Sequence, residues 1–99
     1  MATDGTRGGG PDAVVEIRSP GDETYEKLPF YARLRVREVV VIDRTSKRPE
    51  ARRLDGGRYV QAPVNTDGWV DSEVLAIRLR GDGGRLHLMH RPSGTTTAI

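Results

Sequence analysis

The stretch EVVVID at residues 38–43 constrains this chain most. Val39, Val40, Val41 and Ile42 follow one another without alternation, so a strand here is covered on both faces rather than one. Upstream, residues 12–18 (DAVVEIR) are a second β-prone run, bounded by Pro11 and by Ser19-Pro20-Gly21. Between the two, Tyr25, Leu28, Ala32 and Leu34 recur at roughly helical spacing behind Asp22, a residue suited to an N-cap. Glu23 and Glu26 lie where the helix dipole favours acid, and Pro29 predicts a bend. Strand, helix and strand within about 30 residues predict a crossover connection. Strands 12–18 and 38–43 are therefore expected to be parallel neighbours, with helix 23–34 packed across them. Val15, Ile17, Leu28, Val39, Val41 and Ile42 are the expected core.

The remainder reads as antiparallel. Residues 50–54 and 58–62 flank Asp55-Gly56-Gly57, a hairpin signal with glycines where positive φ is needed. Gly68-Trp69-Val70 leads into a strand over 74–79, and residues 86–89 form a weak last strand. The fold class is α+β, a small α/β unit with an antiparallel annex. At 99 residues there is room for one domain. It is expected over 11–90, between a flexible Gly-rich arm (1–10) and a flexible tail (91–99).

Composition narrows the chemistry. The longest apolar run, residues 39–42, is far below the roughly 18 residues of a membrane span. No secretory signal opens the chain, and a cytoplasmic location without membrane contact is expected. The absence of cysteine excludes disulfides, thiolate zinc sites and cysteine nucleophiles. Only two histidines are present, His87 and His90, too few for a histidine-rich metal site. Sixteen basic residues against fourteen acidic ones leave a net charge of +2, with the excess concentrated over 44–80. That balance permits a nucleic-acid partner without demanding one.

On an alternating strand Asp12, Val14 and Glu16 share one face, and Ala13, Val15 and Ile17 share the other, the natural core face. Two carboxylates on one face can hold a hard divalent cation, and Lys27 could orient a water beside it. The same spacing also fits two solvated acids on an exposed strand. Arg44, Lys47, Arg48, Arg52, Arg53 and Arg58 either bind phosphates or form a solvated hairpin. Trp69 either packs over the hairpin or stacks on a ligand, and Tyr31 reads as core.

The order of motifs adds a further expectation. PDAVVEIRSP, then EKLPFYA, then REVVVID, then RLDGGRYV resembles the Uma family of restriction endonucleases, a branch of the PD-(D/E)xK nuclease superfamily, over about residues 11–80. The resemblance implies a restriction-endonuclease-like half-core and a Mg²⁺- or Mn²⁺-dependent site that hydrolyses phosphodiester bonds in DNA. Glu16 matches the acidic member of the family's E-x-K element, Asp12 the aspartate of its PD pair, and Lys27 a helix lysine. Asp12 and Glu16 would hold the metal. Position 18, where the family's strand lysine falls, is Arg18, which stays protonated and cannot serve as a base but can hold a phosphate. Arg44, Lys47 and Arg48 would contact DNA. Family members usually run to nearly twice this length, and their preceding half brings another metal-binding acid. The resemblance therefore covers the C-terminal part only, and implies a truncated domain that is weakly active or inactive alone. It would act as a homodimer or pair with another chain. The alternative is a non-catalytic remnant that binds nucleic acid or dimerises.

Overall fold

The computed structural model describes residues 11–99, and the expected Gly-rich arm at 1–10 lies outside the described residues. Strand β1 (Ala13–Arg18) leads through a single 3₁₀ turn (Tyr25–Lys27) and helix α1 (Leu28–Arg33) into β2 (Glu38–Asp43). β3 (Pro49–Asp55) and β4 (Arg58–Gln61) complete a sheet of order β1-β2-β3-β4. β1 and β2 are parallel, with Val14 beside Val39 and Glu16 beside Val41. β2–β3 and β3–β4 are antiparallel. A second sheet follows as an antiparallel meander: β5 (Val70–Ser72), β6 (Ile77–Asp82), β7 (Arg85–His90) and β8 (Thr96–Ala98).

The parallel pair and its crossover match the sequence expectation, but the helix is shorter than 23–34. Asp22 does not cap it. Its carboxylate accepts the backbone N–H groups of Ser19 (2.7 Å) and Thr24 (3.0 Å), closing the turn ahead of the helix. Pro29 then falls in the first turn of α1, where a missing N–H costs little, so the chain restarts as α-helix rather than bending.

β2 is the centre of the molecule, covered on both faces as its unbroken apolar run requires. Val39 and Val41 pack with Val36 under the crossover, against Val14, Tyr25, Leu28, Tyr31, Leu34 and Tyr59. On the other face Val40 and Ile42 meet Leu79 and Leu86 of the second sheet. Ala51, Ala62 and Val70 form a smaller cluster nearby. Leu28 is only half-buried.

The expected burial of Val15 and Ile17 is wrong: they are 51% and 49% exposed. The helix covers the face bearing Val14 and Glu16, while the second sheet packs chiefly on β2 and β3 and leaves Ile17 at the rim of a cavity shared with Leu86 and Ile99. The apolar face assigned to the core is therefore the less covered one.

A buried ionic staple also joins the sheets. The Glu38 carboxylate, in β2, accepts the Ser72 hydroxyl and the Glu73 N–H (3.0 Å), and lies 3.6 Å from Arg53 Nε.

The strand expected at 74–79 is displaced to residues 77–82, because residues 73–76 form a turn closed at Ala76, whose φ is +57°. Asp82-Gly83-Gly84-Arg85 repeats the Asp55-Gly56-Gly57-Arg58 hairpin. In each, two glycines with positive φ form a two-residue turn that matches the strand twist. The segment 91–99, expected to trail off, turns back and adds β8 to β7.

Candidate functional site

Glu16 points to the crossover side of the first sheet. The carboxylate meets two residues from the connection: Lys27 Nζ lies 3.4 Å from both oxygens, and the Tyr31 hydroxyl donates to Oε2. Lys27 ends the 3₁₀ turn and Tyr31 lies one helical turn on, so local helicity alone aims both at one point. The Tyr31 hydroxyl is pushed up to about 12, chiefly by its hydrogen bond to Glu16 and then by burial. Glu16 and Lys27, both singled out in the sequence, are thus brought together. Tyr31, assigned to the core, does pack there but also orients Glu16; its i,i+4 spacing from Lys27 was the available signal.

Beyond Glu16 along β1, Arg18 stacks over the Tyr25 ring, 5.0 Å from its centroid, and lies 4.0 Å from Asp43. Arg52 covers the same ring at 5.0 Å, and the Tyr25 hydroxyl donates to Glu50 (2.9 Å). Burial, reinforced by Glu50, raises the Tyr25 hydroxyl above its usual range. These side chains border a cleft of about 260 Å³, lined by Arg18, Tyr25, Asp43, Ser46, Arg48 and Glu50. Asp43 accepts the N–H groups of Ser46 (2.8 Å) and Thr45 (2.9 Å), which hold its carboxyl below the ordinary range. The cleft opens at the carboxyl ends of the parallel strands, where ligands bind in open α/β sheets. Arg44 donates to Ser19 Oγ (2.8 Å) and Lys47 to the Arg44 carbonyl, so the four predicted nucleic-acid residues are drawn to one end of the sheet.

Asp12 sits just before β1. Its carbonyl accepts the N–H groups of Arg37 (3.0 Å) and Glu38 (3.2 Å), tying the starts of the two parallel strands together. Four residues of strand separate it from Glu16 by about 13 Å between Cα atoms. Side chains standing perpendicular to a sheet do not close that gap onto one cation. Among the described residues no three His, Asp or Glu side chains converge as a metal site. The residues present thus offer Mg²⁺ or Mn²⁺ one carboxylate, already engaged by Lys27 and Tyr31, and do not by themselves fit a divalent cation.

The other candidates resolve as structure. Trp69 packs under Arg80, whose guanidinium lies 5.0 Å from the ring centroid. His90 Nδ1 shares a 2.8 Å hydrogen bond with Ser93. Arg53 is absorbed by the Glu38 staple.

A parallel strand pair crossed by a short helix, with a carboxylate on the first strand and a lysine on the crossover, is the frame of a small α/β nuclease-like domain. Residues 3–82 match the Uma2 family, described as "Putative restriction endonuclease", and the chain belongs to that family. No curated protein and no solved structure matches it. Among the described residues no helix is long and apolar enough to cross a membrane.

Proposed function

We propose that this chain is an endonuclease-like domain acting on DNA, with its reacting phosphate held near Glu16 and Lys27. The observation that carries the reading is the Lys27 ammonium 3.4 Å from both Glu16 oxygens. In this reading Glu16 accepts a hydrogen bond from the attacking water and Lys27 Nζ donates to it, fixing its lone pair towards phosphorus. Tyr31 keeps Glu16 in place. Arg18 and Arg48, at the mouth of the cleft, hold phosphate oxygens further along the strand, with Arg44 and Lys47 beside them. The family's divalent cation needs donors besides Glu16, and no step is assigned to it.

The test is nicking of supercoiled plasmid in Mg²⁺ or Mn²⁺. Slow cleavage is expected, falling about a hundredfold or more in Glu16→Ala, in the range of losing one positioned acid–base group. Equal cleavage by both proteins would remove Glu16 from the site. The single carboxylate favours a second reading, a DNA-binding module without catalysis. In that case no cleavage occurs, yet Arg18→Ala with Arg48→Ala weakens DNA binding and lowers its salt dependence by about two counterions.

A further inference from the structure

Helix α1 and the β3–β4 hairpin leave a groove between them of about 210 Å³, floored by Leu28, Pro29, Ala32 and Tyr59. It opens onto a shallower shelf bordered by Arg33 and Arg35, and Arg58 closes the hairpin side. The hairpin turns beyond Glu38, where β2 begins. The groove therefore lies at the amino end of the parallel pair, and the cleft with Arg18 and Arg48 at the other.

Three exposed arginines thus meet from the end of α1, the turn after it and the start of β4. Arg52, Arg53 and Arg78 each hold a carboxylate, whereas the side chains of Arg33, Arg35 and Arg58 have no hydrogen bond or ion pair among the described residues. No described acid lines the groove, and Asp55, opposite Arg58 in the ladder, makes no ion pair with it. Like charges gathered without a counter-charge repel, and a bound carboxylate relieves them.

The backbone at Arg35 is a separate observation. Its φ is +59°. Its N–H donates to the Ala32 carbonyl (3.0 Å) and the Val36 N–H to the Tyr31 carbonyl (3.1 Å), the pattern of a Schellman helix ending. Glycine is the usual residue at that place, and a side chain there is strained. Arginine brings a guanidinium to the shelf that glycine would not.

We propose that this groove binds an acidic peptide segment of a partner protein, with an apolar side chain on the floor and flanking carboxylates on Arg33, Arg35 and Arg58. The groove is smaller than the roughly 300–1,000 Å³ of small-molecule sites, so it takes a side chain rather than a whole ligand. Its floor favours peptide over nucleic acid. Reading a base needs free hydrogen-bonding groups. The Tyr59 hydroxyl, the polar group of the floor side chains, is spent on the Val36 carbonyl (2.7 Å). Arginines around an apolar groove instead match a segment that mixes acid with apolar anchors. The proposal does not rest on the reading of Glu16.

The test is fluorescence anisotropy of the whole chain with a fluorescein-labelled glutamate peptide carrying a central leucine pair. A counterpart with serine in place of leucine and a thymidine oligonucleotide are titrated beside it. Micromolar binding of the leucine peptide is expected, weakened about fivefold in Arg35→Gly, the upper range for one exposed ion pair. Glycine suits the left-handed backbone there, so this variant should melt no lower than the wild type, and the loss reports contact rather than folding. Ala32→Glu, which places an acid in the floor, should abolish binding. Arg85→Ala, exposed on the second sheet, should leave it unchanged. Absence of binding overturns the proposal. So does equal binding of the serine peptide, or an affinity that Arg35→Gly leaves unaltered. An oligonucleotide bound more tightly than the peptide, and weakened in Arg35→Gly, overturns it in favour of a nucleic-acid contact.

Discussion

The two sheets are of equal strand number but unequal use. The first contains the parallel pair, carries the crossover helix on one face, and gathers Glu16, Lys27, Tyr31 and Arg18. The second is a plain meander whose inner face meets β2. Parallel strands need a long connection, and that connection brings polar side chains over the sheet; tight hairpins bring none. The candidate site lies at the crossover because that connection carries Lys27 and Tyr31 across the sheet to Glu16. The meander serves as backing.

The backing is fastened by Glu38, and its removal gives the largest expected effect. Glu38→Ala takes the buried carboxylate from Arg53, which keeps its bond to the Asp71 carbonyl, and leaves Ser72 and the Glu73 N–H without their acceptor. A loss of about 3–5 kcal/mol is expected in urea unfolding, the range for breaking a buried ion pair. A loss below about 1 kcal/mol, the worth of an ordinary hydrogen bond, would mean that the Glu38 carboxylate contributes little to joining the sheets.

A smaller effect is expected where backbones touch. A Cβ on Gly81 would come within 2.7 Å of the Lys47 carbonyl and the Arg48 nitrogen. Gly81→Ala is therefore expected to cost about 1–3 kcal/mol by overpacking. Gly56→Ala, strained at φ +61° but in open space, should cost about 1 kcal/mol. Equal losses would show that the 47–48 turn yields, and that the two sheets meet less rigidly than they look.

The mildest change sharpens the comparison on the crossover side. All three tyrosines, Tyr25, Tyr31 and Tyr59, have raised hydroxyl pKa values, and only Tyr31 is pushed as far as about 12. A folded-state value above the unfolded one, near 10, stabilises fully below pH 10. That contribution is lost as pH rises through about 12. Tyrosinate absorbance should show a last step near pH 12 that disappears in Tyr31→Phe, together with part of the alkaline loss of stability. A last step that persists in Tyr31→Phe would assign it to another tyrosine.

Much of this frame was legible in the residues. The unbroken Val39–Ile42 run announced a doubly covered strand, and β1 was placed parallel to it through the intervening helical spacing. What misled was the face of β1. Alternation shows which residues share a side, not which side is covered, and Val15 and Ile17 look more like core than Val14 and Glu16 do. The turn at residues 73–76 lacks glycine and proline, so its strand was read three residues early. At the site, Glu16 and Lys27 emerged from motif order. The Tyr31 hydroxyl was hidden because an aromatic ring packed in a core and a hydroxyl aimed at an acid are the same residue in a sequence.

The repeated Asp-Gly-Gly-Arg turns have a consequence for the order in which the molecule assembles. Each joins strands only two residues apart, and hairpins of that kind close in about 1–10 μs. β1 and β2 are separated by residues 19–37, a loop that must be closed at an entropic cost before their contacts form. β3–β4 and β6–β7 can therefore zip early, while β1 joins late and, among the described residues, has a strand neighbour on one side only. Once the molecule has formed, the same imbalance makes β1 the strand that opens most readily, so its amides should be the first of the first sheet to exchange with deuterium.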